Sequence, residues 1–246
     1  MVVKDLLDDL EYWSVCNRKE DKMDEKEKRI EANRIKSLYF NNEISDEEII
    51  QLISKNRELI NVELMSTSNL MVDAVACNRF EVAKRLIDMG SDINWKCRAS
   101  MINGNVLNAV TSPEQADFFL EHGAEIEKNY DLAVQYINPA LAAAERNNVE
   151  MLDYWIHKQK DIFIEDLEYY NKLINAVVEH ISNVNQISML SYVIRDDALY
   201  ELLKEKYQNI TDLTSIKLRK KSLNSIKDAE LKSRVNELKA ILKKIQ

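Results

Sequence analysis

A repeat with a step of 33 residues is the feature of this sequence that most restricts its fold. Gly90 is followed by Ser-Asp-Ile, and 33 residues later Gly123 is followed by Ala-Glu-Ile. The same step links further sets of positions: Glu48, Glu81 and Glu114; Ile60, Ile93 and Ile126; Asn61, Asn94 and Glu127. Several independent positions on one period predict a chain built from similar units that stack on one another.

Each repeated glutamate is followed by an apolar stripe with helical spacing. The stripes are Ile49/Ile50/Ile53, Val82/Ala83/Leu86/Ile87 and Ala116/Phe119/Leu120, and a fourth follows Glu150, 36 residues after Glu114. Apolar residues three and four apart predict amphipathic helices. The chain holds only three glycines and two prolines, which are too few for the tight turns of a sandwich, a barrel or a doubly wound sheet. We therefore predict an all-α fold.

Three kinds of segment within the repeat resemble the ankyrin repeat family. NPALAAA at 138–144 resembles its TPLHLAA helix start, and NRFEV at 78–82 and NNVEM at 147–151 resemble its GHxEV turn. MGSDIN at 89–94 and HGAEIE at 122–127 resemble its GADVN loop. The resemblance is best over 66–160 and implies a helical solenoid whose units are two helices and a hairpin loop.

Two departures from the family pattern concern the local turns. The first helix at 69–77 reads NLMVDAVAC and lacks both the Thr-Pro start and the histidine. Gln159 replaces the loop glycine of the fourth copy, and glycine is the residue that adopts the left-handed turn of this loop most readily. Two segments fit helix starts of the capping-box type: Ser45 with Glu48, and Ser112 with Pro113 and Gln115.

The ends of the array are predicted to be helical caps, because terminal units would otherwise expose their stacking faces. The charged run at 20–36 predicts the first helix of an N-terminal cap; the alternative is an acidic recruitment helix. The last helix carries a 4-3-4-3 stripe, which predicts a capping helix or, alternatively, a dimerisation zipper: Leu231, Val235, Leu238, Leu242 and Ile245. The predicted segments are 1–65 (cap and degenerate first repeat), 66–168 (three repeats) and 169–246 (degenerate repeat and cap).

The charge is unevenly divided along the chain. Residues 199–246 hold twelve Lys/Arg and six Asp/Glu, which is +6, and the total of −8 leaves −14 for residues 1–198. Such an acidic body repels nucleic acid and anionic membranes and attracts a partner with a basic surface; the alternative is a solubilising surface charge. We expect the chain alone to be monomeric.

Cysteine usage and hydropathy bear on the compartment. Cys16, Cys77 and Cys97 are odd in number and widely spaced, which does not fit a disulfide framework. No apolar run approaches the roughly 18 residues of a membrane span, and the N-terminus carries acids where a signal peptide is basic. These features predict a cytoplasmic protein, with delivery into another cell as the open alternative.

The sequence holds no motif that points to catalysis, a metal or a cofactor. His122, His157 and His180 fall in different repeats, and none shares a metal-ligand spacing with a cysteine. No phosphate-binding glycine loop and no GxSxG serine occurs. We therefore predict a non-enzymatic protein with no cofactor, no metal site and no catalytic residue.

The ankyrin resemblance implies contact positions on a concave groove formed by loop tips and first helices. Carried over residue by residue, they are Trp95, Lys96 and Arg98; Lys128, Tyr130 and Asp131; Ala76 and Cys77; and Glu145 and Arg146. Trp95 is favoured, because tryptophan, tyrosine and arginine dominate binding hot spots. The alternative is that Trp95 packs under a neighbouring loop or against Ile102.

The resemblance and the charge together predict a protein–protein interaction module that binds a partner through the concave groove. Within this class we expect neutralisation of a basic protein, as an immunity protein does. The Lys-, Asn- and Ile-rich composition is typical of AT-rich genomes and favours a bacterium or its virus. One alternative is an effector that binds a host protein. A second is an enzyme whose deep polar pocket lies within 160–246, and a third is a nucleic-acid or membrane-surface binder that uses the basic C-terminus.

Overall fold

The prediction of an all-α fold is confirmed. A computed structural model describes residues 23–41, 43–64, 68–96, 105–126, 138–183 and 186–244, and within these ranges there are helices and no strands. The helices are α1 (Glu25–Leu38), α2 (Asp46–Lys55), α3 (Leu70–Ala76), α4 (Phe80–Asp88), α5 (Val106–Ala109), α6 (Pro113–Glu121), α7 (Pro139–Glu145), α8 (Val149–Ile162), α9 (Leu167–Asn183), α10 (Ile187–Arg195), α11 (Asp197–Gln208), α12 (Leu213–Ser225) and α13 (Lys232–Lys244), with a 3₁₀ turn at Arg57–Leu59.

The helices pack mainly on near neighbours in the chain. Helices α3, α5, α7 and α9 form a row in which each contacts the next, and α4, α6 and α8 pair with α3, α5 and α7. Helix α1 packs on α2 and α3 at one end, while α11, α12 and α13 pack together at the other. The buried side chains form one continuous core from Ala32 to Leu242, and the boundaries at 65 and 168 remain predictions.

Two asparagines on the 33-residue step make the same contacts with the next loop. Asn61 Nδ2 donates to the Gly90 carbonyl at 3.2 Å, and Asn61 Oδ1 accepts from the Asp92 amide at 2.9 Å. Asn94 Nδ2 donates to the Gly123 carbonyl at 2.9 Å, and Asn94 Oδ1 accepts from the Glu125 amide at 2.9 Å. Consecutive loops are therefore held to one another by an identical pair of hydrogen bonds.

The turns after the helices adopt left-handed backbone conformations at four positions. Gly90 (φ 95°) and Gly123 (φ 91°) follow α4 and α6, and Asn78 (φ 60°) and Asn147 (φ 56°) follow α3 and α7. Asparagine is, after glycine, among the residues that best tolerate this conformation. Asn78 and Asn147 thus fill the turn position where the family pattern has glycine.

Polar caps start several of these helices, and one of the predicted caps is shifted. The capping box of α2 is confirmed, because Ser45 Oγ accepts from the Glu48 amide and Glu48 Oε2 accepts from the Ser45 amide. At α6, Ser112 Oγ accepts from the Gln115 amide, but Gln115 Oε1 accepts from the Thr111 amide. The second bond of this box therefore goes one residue further back than predicted.

Asparagine caps replace the Thr-Pro start of the family in the first helices. Asn69 Oδ1 accepts from the Val72 amide at 2.9 Å, and Asn105 Oδ1 accepts from the Asn108 amide at 3.0 Å. Each cap satisfies a backbone N–H that would otherwise lack a partner at the start of a helix. The segment 69–77 therefore forms a helix without a Thr-Pro turn.

The fourth copy has no loop at Gln159. Helix α8 continues past this position to Ile162, and Gln159 is completely buried. Its side chain bonds Asn138, with Asn138 Nδ2 to Gln159 Oε1 at 2.8 Å and Gln159 Nε2 to Asn138 Oδ1 at 3.1 Å. Asn138 Nδ2 also donates to the Tyr169 hydroxyl at 3.0 Å. A glutamine here extends the helix and forms a buried polar network instead of a turn.

The apolar stripes at both ends of the chain are covered by the chain itself. Ala32, Ile35 and Leu38 of α1 are buried. Val235, Leu238 and Leu242 of α13 are buried where α13 packs on α11 and α12, and Ile245 lies outside the described residues. The stripe of the last helix therefore serves packing within the chain, as a capping helix requires, and its zipper face is occupied.

Burial of Tyr207 predicts a loss of stability at alkaline pH. Tyr207 on α11 is 1% exposed, and burial raises its pKa to about 12 from 10.0, an increase that the nearby Arg219 guanidinium opposes. The folded state therefore keeps the Tyr207 proton at a pH where the unfolded chain has lost it. As a result, the free energy of unfolding is at its full value below pH 10.0 and falls as the pH rises toward about 12.

We expect Tyr207→Phe to remove this loss. Between pH 10.0 and about 12 the free energy of unfolding of the wild type should fall by up to about 2 kcal/mol more than that of the variant. Urea unfolding across this pH range measures the difference. Parallel pH dependences of the two proteins would contradict the assignment.

Candidate functional site

Residues 70–75 of α3, 139–144 of α7 and all four residues of α5 (106–109) are buried, so α3 and α7 are accessible only at their C-terminal ends. The four predicted contact residues on these helices lie at that end of α3 and α7. Ala76 is exposed, while Cys77, Glu145 and Arg146 are half-buried. The described parts of the first helices could therefore contribute to a groove chiefly through these ends.

Cys77 has the character of a packing thiol. Burial raises the pKa of the Cys77 thiol and the nearby Asp73 raises it further, while Lys36 and Arg79 act in the opposite direction. Catalytic cysteines instead have a lowered pKa that favours the thiolate.

Arg146 and Glu145 both have partners within the chain. Arg146 donates to the carbonyl of Asn108 in α5, and burial lowers the pKa of its guanidinium. Glu145 Oε2 lies 2.9 Å from His180 Nε2, and the Glu145 carbonyl accepts from Gln186 Nε2 at 3.1 Å. These two residues join α7 to its neighbours, and any contact with a partner would be added to these bonds.

Trp95 lies just after the loop that Asn94 holds. Its side chain is half-buried and packs against the apolar core, and its amide donates to the Asp92 carbonyl at 3.1 Å. Lys96 beside it is exposed. The other predicted contact residues lie outside the described residues: Arg98, Lys128, Tyr130 and Asp131. Trp95 thus combines a packed part with an accessible part, and its role as a contact remains a prediction.

A second candidate site is a cleft between α8, α9 and the start of α11. Its volume is about 530 Å³. The described residues that line it are Ile156, His157, Lys160, Tyr170, Asn171, Ile174, Asn175, Asp196, Ala198, Leu199 and Leu202. Most of this lining falls within 160–246, where the enzyme alternative expected a pocket.

The polar groups of the cleft include one histidine, one lysine, one tyrosine and one aspartate: His157, Lys160, Tyr170 and Asp196. None of its lining residues is serine, threonine or cysteine, and His157 is exposed with its Nδ1 2.8 Å from the Asp153 carbonyl of its own helix. Burial raises the pKa of Tyr170, as do the carboxylates of Asp196 and then Asp161. The neutral phenol of Tyr170 can form a hydrogen bond with a ligand, and the carboxylates near it supply negative charge.

Sequence reasoning missed this cleft, although one signal for it is present. The segment KDIFIEDL at 160–167, which runs from the end of α8 to the start of α9, places a short apolar run between acids. Ile162, Ile164 and Leu167 there are 45%, 68% and 58% exposed.

Within the described ranges no three His, Cys, Asp or Glu side chains converge as metal ligands. Among the described helices none combines the length and apolarity needed to cross a membrane.

Comparison of the chain with protein-family models, with curated proteins and with solved structures finds no match.

Proposed function

We propose that the chain is a non-enzymatic, ankyrin-like protein-binding module whose partner has a basic surface. The observation that carries the proposal is the repeated asparagine contact of Asn61 and Asn94, which holds consecutive loops to one another. Loops held in a row on a rigid helical stack form the kind of extended surface that repeat proteins use for binding.

The charge of the chain supports the choice of partner. The net charge of −14 on residues 1–198 attracts a cationic protein over a long range and speeds the association of that protein with the chain. Neutralising a basic toxin, as immunity proteins do, fits this charge, and capture of a host protein by a delivered effector is the alternative. Fold and charge are shared by both, so the identity of the partner separates them.

The experiment tests the groove with a purified partner obtained by copurification from the source cells. We expect Trp95→Ala combined with Tyr130→Ala to weaken the affinity by about tenfold or more, as hot-spot aromatics do. The free energy of unfolding of the chain should change far less than this binding free energy. Isothermal titration calorimetry measures the first quantity and urea unfolding the second.

Leu218→Ala is the control, because Leu218 is a large apolar residue that is 51% exposed on α12, which belongs to neither the loops nor the first helices of the predicted groove. Its affinity should equal that of the wild type. Affinity for a basic partner should also fall as salt concentration rises. An unchanged affinity of the Trp95/Tyr130 variant would contradict the groove assignment.

A further inference from the structure

The cleft has an apolar floor and a polar rim. Ile156 of α8, Ile174 of α9, and Leu199 and Leu202 of α11 supply aliphatic surface from three helices. Its volume of about 530 Å³ lies in the range of ligand pockets. The space suits a few large side chains that enter from outside.

An exposed apolar surface continues from the cleft toward the α8–α9 turn. Leu167 is one turn before Tyr170 and Asn171 on α9, and residues three and four apart share a helix face. Leu167 therefore extends the face of α9 that lines the cleft. Ile164 in the α8–α9 turn is also exposed, so two large aliphatic residues near this end of the cleft are open to solvent. Exposed apolar surface next to a cleft is a candidate interaction site.

The surroundings of this apolar surface are acidic. The segment 161–168 holds four acids and no base: Asp161, Glu165, Asp166 and Glu168. Across the whole stretch 156–202, which contributes every lining residue, four Lys/Arg stand against eight Asp/Glu, which gives −4. Asp196 lines the cleft together with Lys160, and the carboxylates of Asp196 and Asp161 both raise the pKa of the lining Tyr170, so acidic groups from α8 and from the residue before α11 lie near the cleft.

We propose that the cleft and the two exposed residues Ile164 and Leu167 form a docking site for a basic amphipathic helix of a partner protein. Apolar side chains of that helix enter between α8, α9 and α11, and its lysines or arginines face Asp161 and Asp196. This inference rests on the proposed binding of a basic protein and places a site for that partner outside the predicted groove.

The test selects ligands from random sequences, so the partner protein does not have to be identified first. A displayed library of randomised helix-forming peptides of about four turns is selected on the full chain. We expect enrichment of peptides with Lys or Arg on one face and large apolar residues at i, i+3 and i+4 on the other. Synthetic peptides of the enriched sequences are then titrated into purified variants of the chain.

Removal of the apolar surface should abolish most of this binding. Ile164→Ser with Leu167→Ser is expected to weaken the peptide affinity by about tenfold. Leu213→Ser with Leu218→Ser is the matched control: these leucines of α12 are 58% and 51% exposed, and α12 lines no part of the cleft. This control should leave the affinity unchanged.

Two charge changes on the rim should alter the peptide affinity in opposite directions. Misfolding of a variant can lower the affinity but cannot raise it. Lys160 lines the cleft and is exposed, so Lys160→Glu should raise the affinity for the enriched peptides by about threefold, while Asp161→Lys should lower it by about threefold. Asp88→Lys on α4, which is also exposed and lies outside the cleft, should have no effect.

Three outcomes separate this proposal from the proposed function. Basic peptides that lose affinity on the Ile164/Leu167 variant, and not on the Trp95/Tyr130 variant, support the cleft. Basic peptides that lose affinity only on the Trp95/Tyr130 variant overturn the cleft and support the groove. Enrichment of acidic or uncharged peptides, no enrichment, or peptide affinities unaffected by either variant overturns the cleft, while the groove is judged by the titration of the Trp95/Tyr130 variant with its purified partner.

Discussion

Asn138→Ala is expected to lower the free energy of unfolding by about 3 kcal/mol. Asn138 Oδ1 caps α7 by accepting from the Ala140 amide at 2.9 Å, and loss of such a cap costs about 1 kcal/mol. The same side chain is a partner of both amide atoms of buried Gln159. Removing it leaves this amide without its Asn138 bonds in the interior, which costs about 1–3 kcal/mol more. Urea unfolding measures the change.

The chain supplies a matched control at the equivalent repeat position. Asn69 is also fully buried and caps α3 by accepting from the Val72 amide, but its Nδ2 has no hydrogen-bond partner among the described residues. Asn69→Ala should therefore cost about 1 kcal/mol, the value of the cap alone. Equal losses for the two variants would mean that the Asn138 network contributes nothing.

A second substitution should recover part of the loss at Asn138. Gln159→Met in the Asn138→Ala background removes the orphaned amide and keeps a flexible side chain of similar length. We expect a gain of about 1–2 kcal/mol relative to the single variant. A double-mutant cycle over the four proteins gives this coupling directly. A cycle that sums to zero would show that Asn138 and Gln159 act independently.

Arg79→Ala is expected to cost about 3 kcal/mol and to loosen the N-terminal helices. The guanidinium donates to three backbone carbonyls at the end of α1 and in the following turn, those of Tyr39, Asn41 and Ile44, at 3.2, 2.6 and 3.0 Å. It also lies 2.9 Å from Asp46 Oδ1 at the start of α2. Hydrogen bonds to charged groups contribute about 1.5–3 kcal/mol, and they are not additive.

Hydrogen exchange and urea unfolding check this effect together. Amide exchange in α1 and α2 should rise more than in α8 and α9, because the lost bonds anchor only the N-terminal helices. Arg79→Lys should recover only part of the stability, since an ammonium lacks the planar fork that reaches several carbonyls. Arg85→Ala is the control: Arg85 is exposed and forms a surface ion pair with Asp88, so its cost should stay below about 0.5 kcal/mol. Equal losses for Arg79→Ala and Arg85→Ala would contradict the prediction.

Arginines join helices elsewhere in the chain in a related way. Arg146 donates to the carbonyl of Asn108 in α5, and Arg234 of α13 donates to the carbonyls of Ile194 and Arg195 at the end of α10. The last carbonyls of a helix have no partner within it, and arginine side chains from elsewhere satisfy them. These arginine side chains therefore join one helix to the end of another, and the 33-residue period does not predict which residues they contact.

Periodicity and local chemistry made much of the fold predictable. The stripes after Glu81, Glu114 and Glu150 are the buried faces of α4, α6 and α8, and Trp155 is core, at 1% exposure, as its place in the stripe requires. Ser45, Pro113 and the two loop glycines mark helix ends and turns. These features depend on residues within a few positions of one another, so one sequence suffices to predict them.

The cleft and the buried network depended on tertiary structure. The sequence by itself determined an all-helical chain with repeated helix stripes, an acidic body and a basic C-terminal segment. Only the packing of helices decided that Gln159 meets Asn138 and Tyr169, that Arg79 reaches the turn after α1, and that α8, α9 and α11 enclose a cleft. These contacts join residues tens of positions apart, and their geometry depends on helix crossing and loop length, which side-chain periodicity does not encode.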